Sequence, residues 1–168
     1  MLCELITCLS VLLSVSALGR DIPMKNHLLT IKAKCKGNDQ CLFEGQDLFL
    51  QITITNQQPV AIGYPLAYRQ KTGPTIRLVD ERTKAEAYLK TNLADPDLRQ
   101  NFTEIPPGES VVLEWVITSG EIEQFARPTV DISAEITLKA EIRVRGKLVD
   151  TTNTDTIRIT SRGTVIKR

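Results

Sequence analysis

His27 is the single histidine in a chain of 168 residues. Ser-His-Asp or Cys-His chemistry needs an imidazole to move protons, so histidine-based catalysis would rest on this residue alone. It stands at the ragged start of an extended segment with no motif around it, and it reads as a solvent-facing side chain. Carboxylates pair up in the sequence at Asp95/Asp97 and Glu121/Glu123. A glycosidase needs two carboxylates facing each other across a sugar. Asp95 and Glu121 instead sit where helix caps and their partners belong. No His-Glu-x-x-His, Cys-x-x-Cys pair or phosphate-binding glycine loop occurs. The expectation is a chain with no catalytic residue, no metal and no cofactor.

The chemistry that remains is recognition. All three tyrosines, Tyr64, Tyr68 and Tyr88, fall within residues 63–89, with Arg69, Lys71 and Arg77 among them and Phe102 just beyond. Tyrosine and arginine are the side chains enriched at binding hot spots. Tyr64, Tyr68, Arg69, Arg77, Tyr88 and Phe102 are therefore the candidate binding residues. A coplanar pair of exposed tyrosine rings would instead suit a sugar. Asn101-Phe102-Thr103 also matches the glycosylation acceptor pattern of a eukaryotic secretory pathway.

These residues must be positioned by strands. Eighteen threonines and sixteen isoleucines stand against eight aromatics, a β-rich composition. Leu29, Ile31, Ala33 and Cys35 alternate with Thr30, Lys32, Lys34 and Lys36, one strand with a wet lysine face that guards an edge. Leu48 to Ile54 alternates likewise. Asn56-Gln57-Gln58-Pro59 breaks it, and a short edge-like piece starts at Val60. Ile76 and Leu78 mark a strand after the Gly73-Pro74 turn. Val111, Leu113, Trp115 and Ile117 alternate with the also largely apolar Val112, Glu114 and Val116, which predicts a central strand with Trp115 facing the core. Every second residue from Val130 to Val144 is apolar. That run is long for a small sandwich, so a bend or bulge near Ser133-Ala134 is expected. Arg145-Gly146-Lys147 turns the chain back through a last strand ending in Ile157 and Ile159.

One or two short helices are expected in the connections. Asp95-Pro96 places a capping acid before a first-turn proline, and Thr118-Ser119-Gly120-Glu121 is a capping box. Seven or eight strands with regular turns predict two antiparallel sheets packed face to face, an immunoglobulin-like β-sandwich.

Residues 1–19 read as a signal peptide. An apolar stretch over 5–19 ends in small residues, Ala17 and Gly19, and is shorter than a membrane span. The sandwich is assigned to 20–160 and a loose tail to 161–168, with no membrane span after cleavage and a secreted or periplasmic location. Cys35 and Cys41, the cysteines beyond that segment, read as a disulfide closing a short turn-rich loop. A formal net charge of +1, with basic and acidic residues interspersed, gives no field for nucleic acid.

The middle of the chain carries a further pattern. Leu48 to Asn56 is a strand ending in Asn, followed by Pro59-Val60, by Thr75 to Asp80, by Phe102-Thr103-Glu104-Ile105-Pro106-Pro107-Gly108-Glu109-Ser110, and by a strand with Trp115. This order, over residues 46–117, resembles bacterial immunoglobulin-like β-sandwiches, among them the intracellular proteinase inhibitor family and the accessory sandwich domains of secreted metallopeptidases. Those domains often carry Gly-x-Tyr before the penultimate strand, where this chain has Arg127-Pro128-Thr129-Val130. The resemblance implies the fold. It does not carry inhibitory activity to a chain that reads as exported. The functional expectation is an exported, non-catalytic binding or accessory domain that contacts another protein, with a carbohydrate-binding module as the alternative.

Overall fold

The computed structural model describes residues 27–125 and 129–162. The signal-peptide segment and residues 163–168 of the tail lie outside them. Period-two alternation forms the strands: β1 Leu29–Cys35, β2 Leu48–Asn56, β3 Ile62–Tyr64, β4 Thr75–Asp80, β5 Glu86–Tyr88, β6 Thr103–Ile105, β7 Ser110–Ile117, β8 Asp131–Val144 and β9 Lys147–Thr160. All pair antiparallel in two sheets. One sheet has the order β1-β2-β7. In the other, β5, β4, β8 and β9 lie side by side, and β3, with β6 outside it, sits on the same edge of β8 as β4. The β1-β2-β7 sheet facing β5-β4-β8-β9 is an immunoglobulin-like arrangement, and the two inner faces supply the core. Leu50, Ile52, Ile54 and Leu113 are buried from one side, and Ile76, Leu78, Ile132, Ile136 and Ile142 from the other.

Two strand expectations are corrected. The β8 strand has no bulge: it stays in register with β9 from Asp131↔Thr160 to Val144↔Lys147. Its length is used because two short strands share its other edge. β4 pairs with residues 132–137, and β3 pairs with Arg143 and Val144. Positive φ at Arg145 and Gly146 forms the two-residue turn that pins this register. The β7 strand is an edge strand, not a central one. Leu113 and Ile117 face the core as expected, while Trp115 is half-buried and Val112 is exposed. Apolar residues on both faces of a strand report its surroundings above and below, not its neighbours in the sheet.

The connections follow local chemistry. The Asp95 carboxylate accepts the Asp97 N–H (3.0 Å) and starts a 3-10 helix, Pro96–Gln100. Thr118 and Glu121 form the predicted capping box of α2, Ser119–Glu123. Helix α1, Leu66–Thr72, is unforeseen. Asn56 is fully buried, its amide donating to the carbonyls of Val60 and Ile105 (both 2.8 Å) while its oxygen accepts the Gln58 N–H. This ties the loop after β2 to β6. Cys35 and Cys41 form the expected disulfide. Closing so small a loop removes about 2 kcal/mol of unfolded-state entropy. Beyond it, the Phe43 N–H donates to Thr160 O (2.7 Å), fastening the end of β9.

A candidate binding cleft at Tyr68

Gly63 is where the candidate site begins. It lies in β3 between Glu104 of β6 and Arg143 of β8. A β-carbon there would stand 3.1 Å from Phe102 Cβ and 3.2 Å from Arg143 Cβ. A larger residue there would push one of those side chains back by a few tenths of an ångström. The Arg143 guanidinium stands 4.8 Å from the Phe102 ring centre, a cation–π contact.

The chain then passes through Tyr64 and turns at Pro65 into α1. Tyr64 is a core residue, 1% exposed, which corrects its place among the surface binding residues. Among the described residues its hydroxyl has no hydrogen-bond partner. Burial pushes its pKa up to about 12, against a smaller pull from the Arg69 charge.

Helix α1 presents Tyr68 and Arg69. The Arg69 and Arg99 guanidinium carbons stand 5.5 and 4.9 Å from the Tyr68 ring centre. Arg99 Nη2 also donates to the Tyr68 hydroxyl (2.9 Å). Arg99 is held there by the 3-10 helix that Asp95 caps. Thr72 Oγ1 donates back to Tyr68 O (3.1 Å) within α1.

A cleft of about 390 Å³ opens beside this group, lined by Pro65, Tyr68, Arg69, Arg99, Glu141 and Asp150. Glu141 and Asp150 are direct cross-strand partners on β8 and β9. Like charges in that relation weaken a sheet. Among the described residues, none of these four charged groups is ion-paired, and the Arg69 Nε is buried without an acceptor. Three other cations near the sheet surfaces are already ion-paired. Lys36 pairs with Glu114, Arg77 with Glu86 and Glu135, and Arg158 with Asp131. The Glu135 and Glu86 carboxylates raise the Arg77 pKa further above its ordinary range.

The six candidate residues thus divide. Tyr68, Arg69 and Phe102 lie on the α1 and β3 side, and Tyr64 lies beneath them. Arg77 and Tyr88 face each other across β4 and β5. Arg77 pairs with Glu135, eight residues from Arg143 along β8, so about 26 Å separates the two places. Tyr88 is 67% exposed but stands apart from the other two tyrosines. The sequence reading missed Arg99, Arg143, Glu141 and Asp150. Hairpin register counted from Arg145-Gly146 would have paired Glu141 with Asp150. Nothing local marks Arg99.

No family model matches the chain, and no curated protein matches it. Among solved structures, the chain is similar to Northeast Structural Genomics Consortium target SoR45, solved by X-ray, with 10% identity and a TM-score of 0.37 over 78% of this chain and 83% of that one. It is also similar to a protein from Archaeoglobus fulgidus, with 10% identity and a TM-score of 0.37 over 79% of this chain and 96% of that one. Among the described residues, no helix is long and apolar enough to cross a membrane.

Proposed function

We propose that this protein is an exported, non-catalytic binding or accessory domain that contacts another protein at the Tyr68 cleft. The observation that carries the reading is the pair of guanidiniums, Arg69 and Arg99, held against one tyrosine ring while neither is ion-paired among the described residues. Holding those donors against the ring in advance lowers the entropy lost when a partner's acceptor arrives. Arg143 on Phe102 extends the same chemistry along β3.

The non-catalytic part rests on the sequence, with its single histidine and no metal-ligand or phosphate-loop motif. Export is supported by the apolar segment over residues 5–19 and by a disulfide suited to an oxidising compartment. The sugar-platform alternative loses its footing, since Tyr64 is buried, Tyr68 lies under two guanidiniums and Tyr88 is alone. The test is partner capture by the wild type against a Tyr68→Ala/Arg99→Ala variant.

A further inference from the structure

The hydrogen-bond parity of the three-stranded sheet exposes a second surface. The Lys36 N–H donates to Phe49 O (2.7 Å) and the Gln57 N–H to Leu28 O (3.2 Å), so odd-numbered residues of β2 turn their backbone groups toward β1. Even-numbered residues then face β7, and the Asn56 N–H does donate to Glu109 O (3.0 Å). On β7 it follows that residues 109, 111, 113, 115 and 117 face β2. Ser110, Val112, Glu114 and Val116 turn their N–H and C=O groups outward. Among the described residues no strand lies there.

The other edges are short or fastened. The β5 and β6 strands have three residues each. At the β1 edge the Ala33 N–H donates to the Asp155 carboxylate on β9 (2.7 Å). Thr160 of β9 is bonded to Cys41 and Phe43. The β7 strand has eight residues and neither proline nor lysine, the usual guards of an edge. Its one charge, Glu114, is drawn across β2 to Lys36 (2.8 Å). Val112 and Phe49 are exposed beside it, at 39% and 59%. Helix α1 also lies close to β7, where Gly73 meets the indole of Trp115.

We propose that β7 is the surface through which two copies of this chain pair, antiparallel and centred on Val112, joining two three-stranded sheets into one of six. The strand is complementary to itself in that register. Val112 faces Val112, and Ser110 faces Glu114 of the second copy, a hydroxyl against a carboxylate. Centring on Glu114 would oppose two carboxylates, and centring on residue 113 would set Val112 against Glu114. A shared two-fold edge needs no second surface.

Sedimentation of the purified protein, together with single-cysteine variants on non-reducing gels, tests this. Directly opposed Val112 residues would have Cα atoms about 5.5 Å apart, within disulfide reach. Val112→Cys should therefore link into a dimer beyond any wild-type background. Val116→Cys, which lies opposite Gly108, should not. The wild type should dimerise, and Val112→Lys should weaken the dimer at least tenfold with unchanged circular dichroism. Should that variant misfold, the cysteine pair decides. A wild type that stays monomeric up to about 1 mM, a dimer that survives Val112→Lys, or equal linking at residue 116 overturns the proposal. So does a monomer that takes up a foreign strand at β7.

Discussion

The indole of Trp115 lies across Gly73, so close that a β-carbon at residue 73 would stand 2.6 Å from its Cε2. Gly73 also has φ +77, a conformation side chains rarely adopt. This contact fixes the end of α1, and so Tyr68 and Arg69, against the sheet that carries β7. Gly73→Ala meets steric overlap and left-handed strain together and should cost roughly 3 kcal/mol. Urea unfolding of the variant measures it, and a loss under about 1 kcal/mol would mean that the indole moves aside freely.

Tyr64 makes the alkaline limb of stability. Its folded pKa is raised to about 12 over an ordinary value of about 10. The fold holds the neutral phenol, so its stabilisation is complete below the ordinary value and is lost as pH rises through the folded one. Tyr64→Phe removes a buried hydroxyl that has no partner among the described residues. It should leave neutral-pH stability unchanged or raised and flatten the fall above about pH 10. Melting curves from neutral to strongly alkaline pH check this. A large loss at neutral pH would reveal a hydrogen bond to that hydroxyl.

Acid stability has the opposite sign. Asp80 is buried, and its Oδ1 accepts the N–H groups of Arg82 (2.8 Å) and Thr83 (2.9 Å) in the β4–β5 turn. The Thr83 amide first, then the Arg82 amide, hold the carboxyl below its ordinary range, against the burial that pushes it up. Hydrogen bonding to Lys84 and Ser133 lowers Glu81, and the Arg158 guanidinium lowers Asp131. These contributions are present above the ordinary carboxyl pKa and are lost as pH falls through the depressed values. The melting temperature should hold level down to about pH 5 and fall below about pH 4. Asp80→Asn cannot titrate, so it should shallow that fall while costing about 1 kcal/mol at neutral pH. An acid limb identical to the wild type would remove Asp80 from the account.

Much of this fold is legible in alternation. Leu29 to Cys35, Leu48 to Ile54 and Val130 to Val144 each announce a strand with one wet and one dry face, and the structure gives them those faces. Caps are legible too, because Asp95-Pro96 and Thr118 to Glu121 act within a single turn. What depends on distant partners is not. Helix α1 has no side-chain N-cap bond and only Thr72 fully buried, and Leu66 and Trp115 place it through tertiary packing. Tyr64 looks like its neighbour Tyr68 in sequence, yet β3 turns it into the core. The cleft joins α1, the 3-10 helix and the β8–β9 hairpin, so clustering in sequence found Tyr68 and Arg69 but not Arg99 or Asp150.

The most direct measurement of the binding claim is quantitative capture from the secreted or periplasmic fraction on immobilised protein, with retained proteins identified by mass. The wild type and Tyr88→Ala should retain the same partner in comparable amounts. Tyr68→Ala/Arg99→Ala, with unchanged circular dichroism, should lose at least nine-tenths of it, the effect of about 1.4 kcal/mol or more at a hot spot. Equal retention by all three proteins, or equal loss with Tyr88→Ala, would contradict the assignment of the Tyr68 cleft.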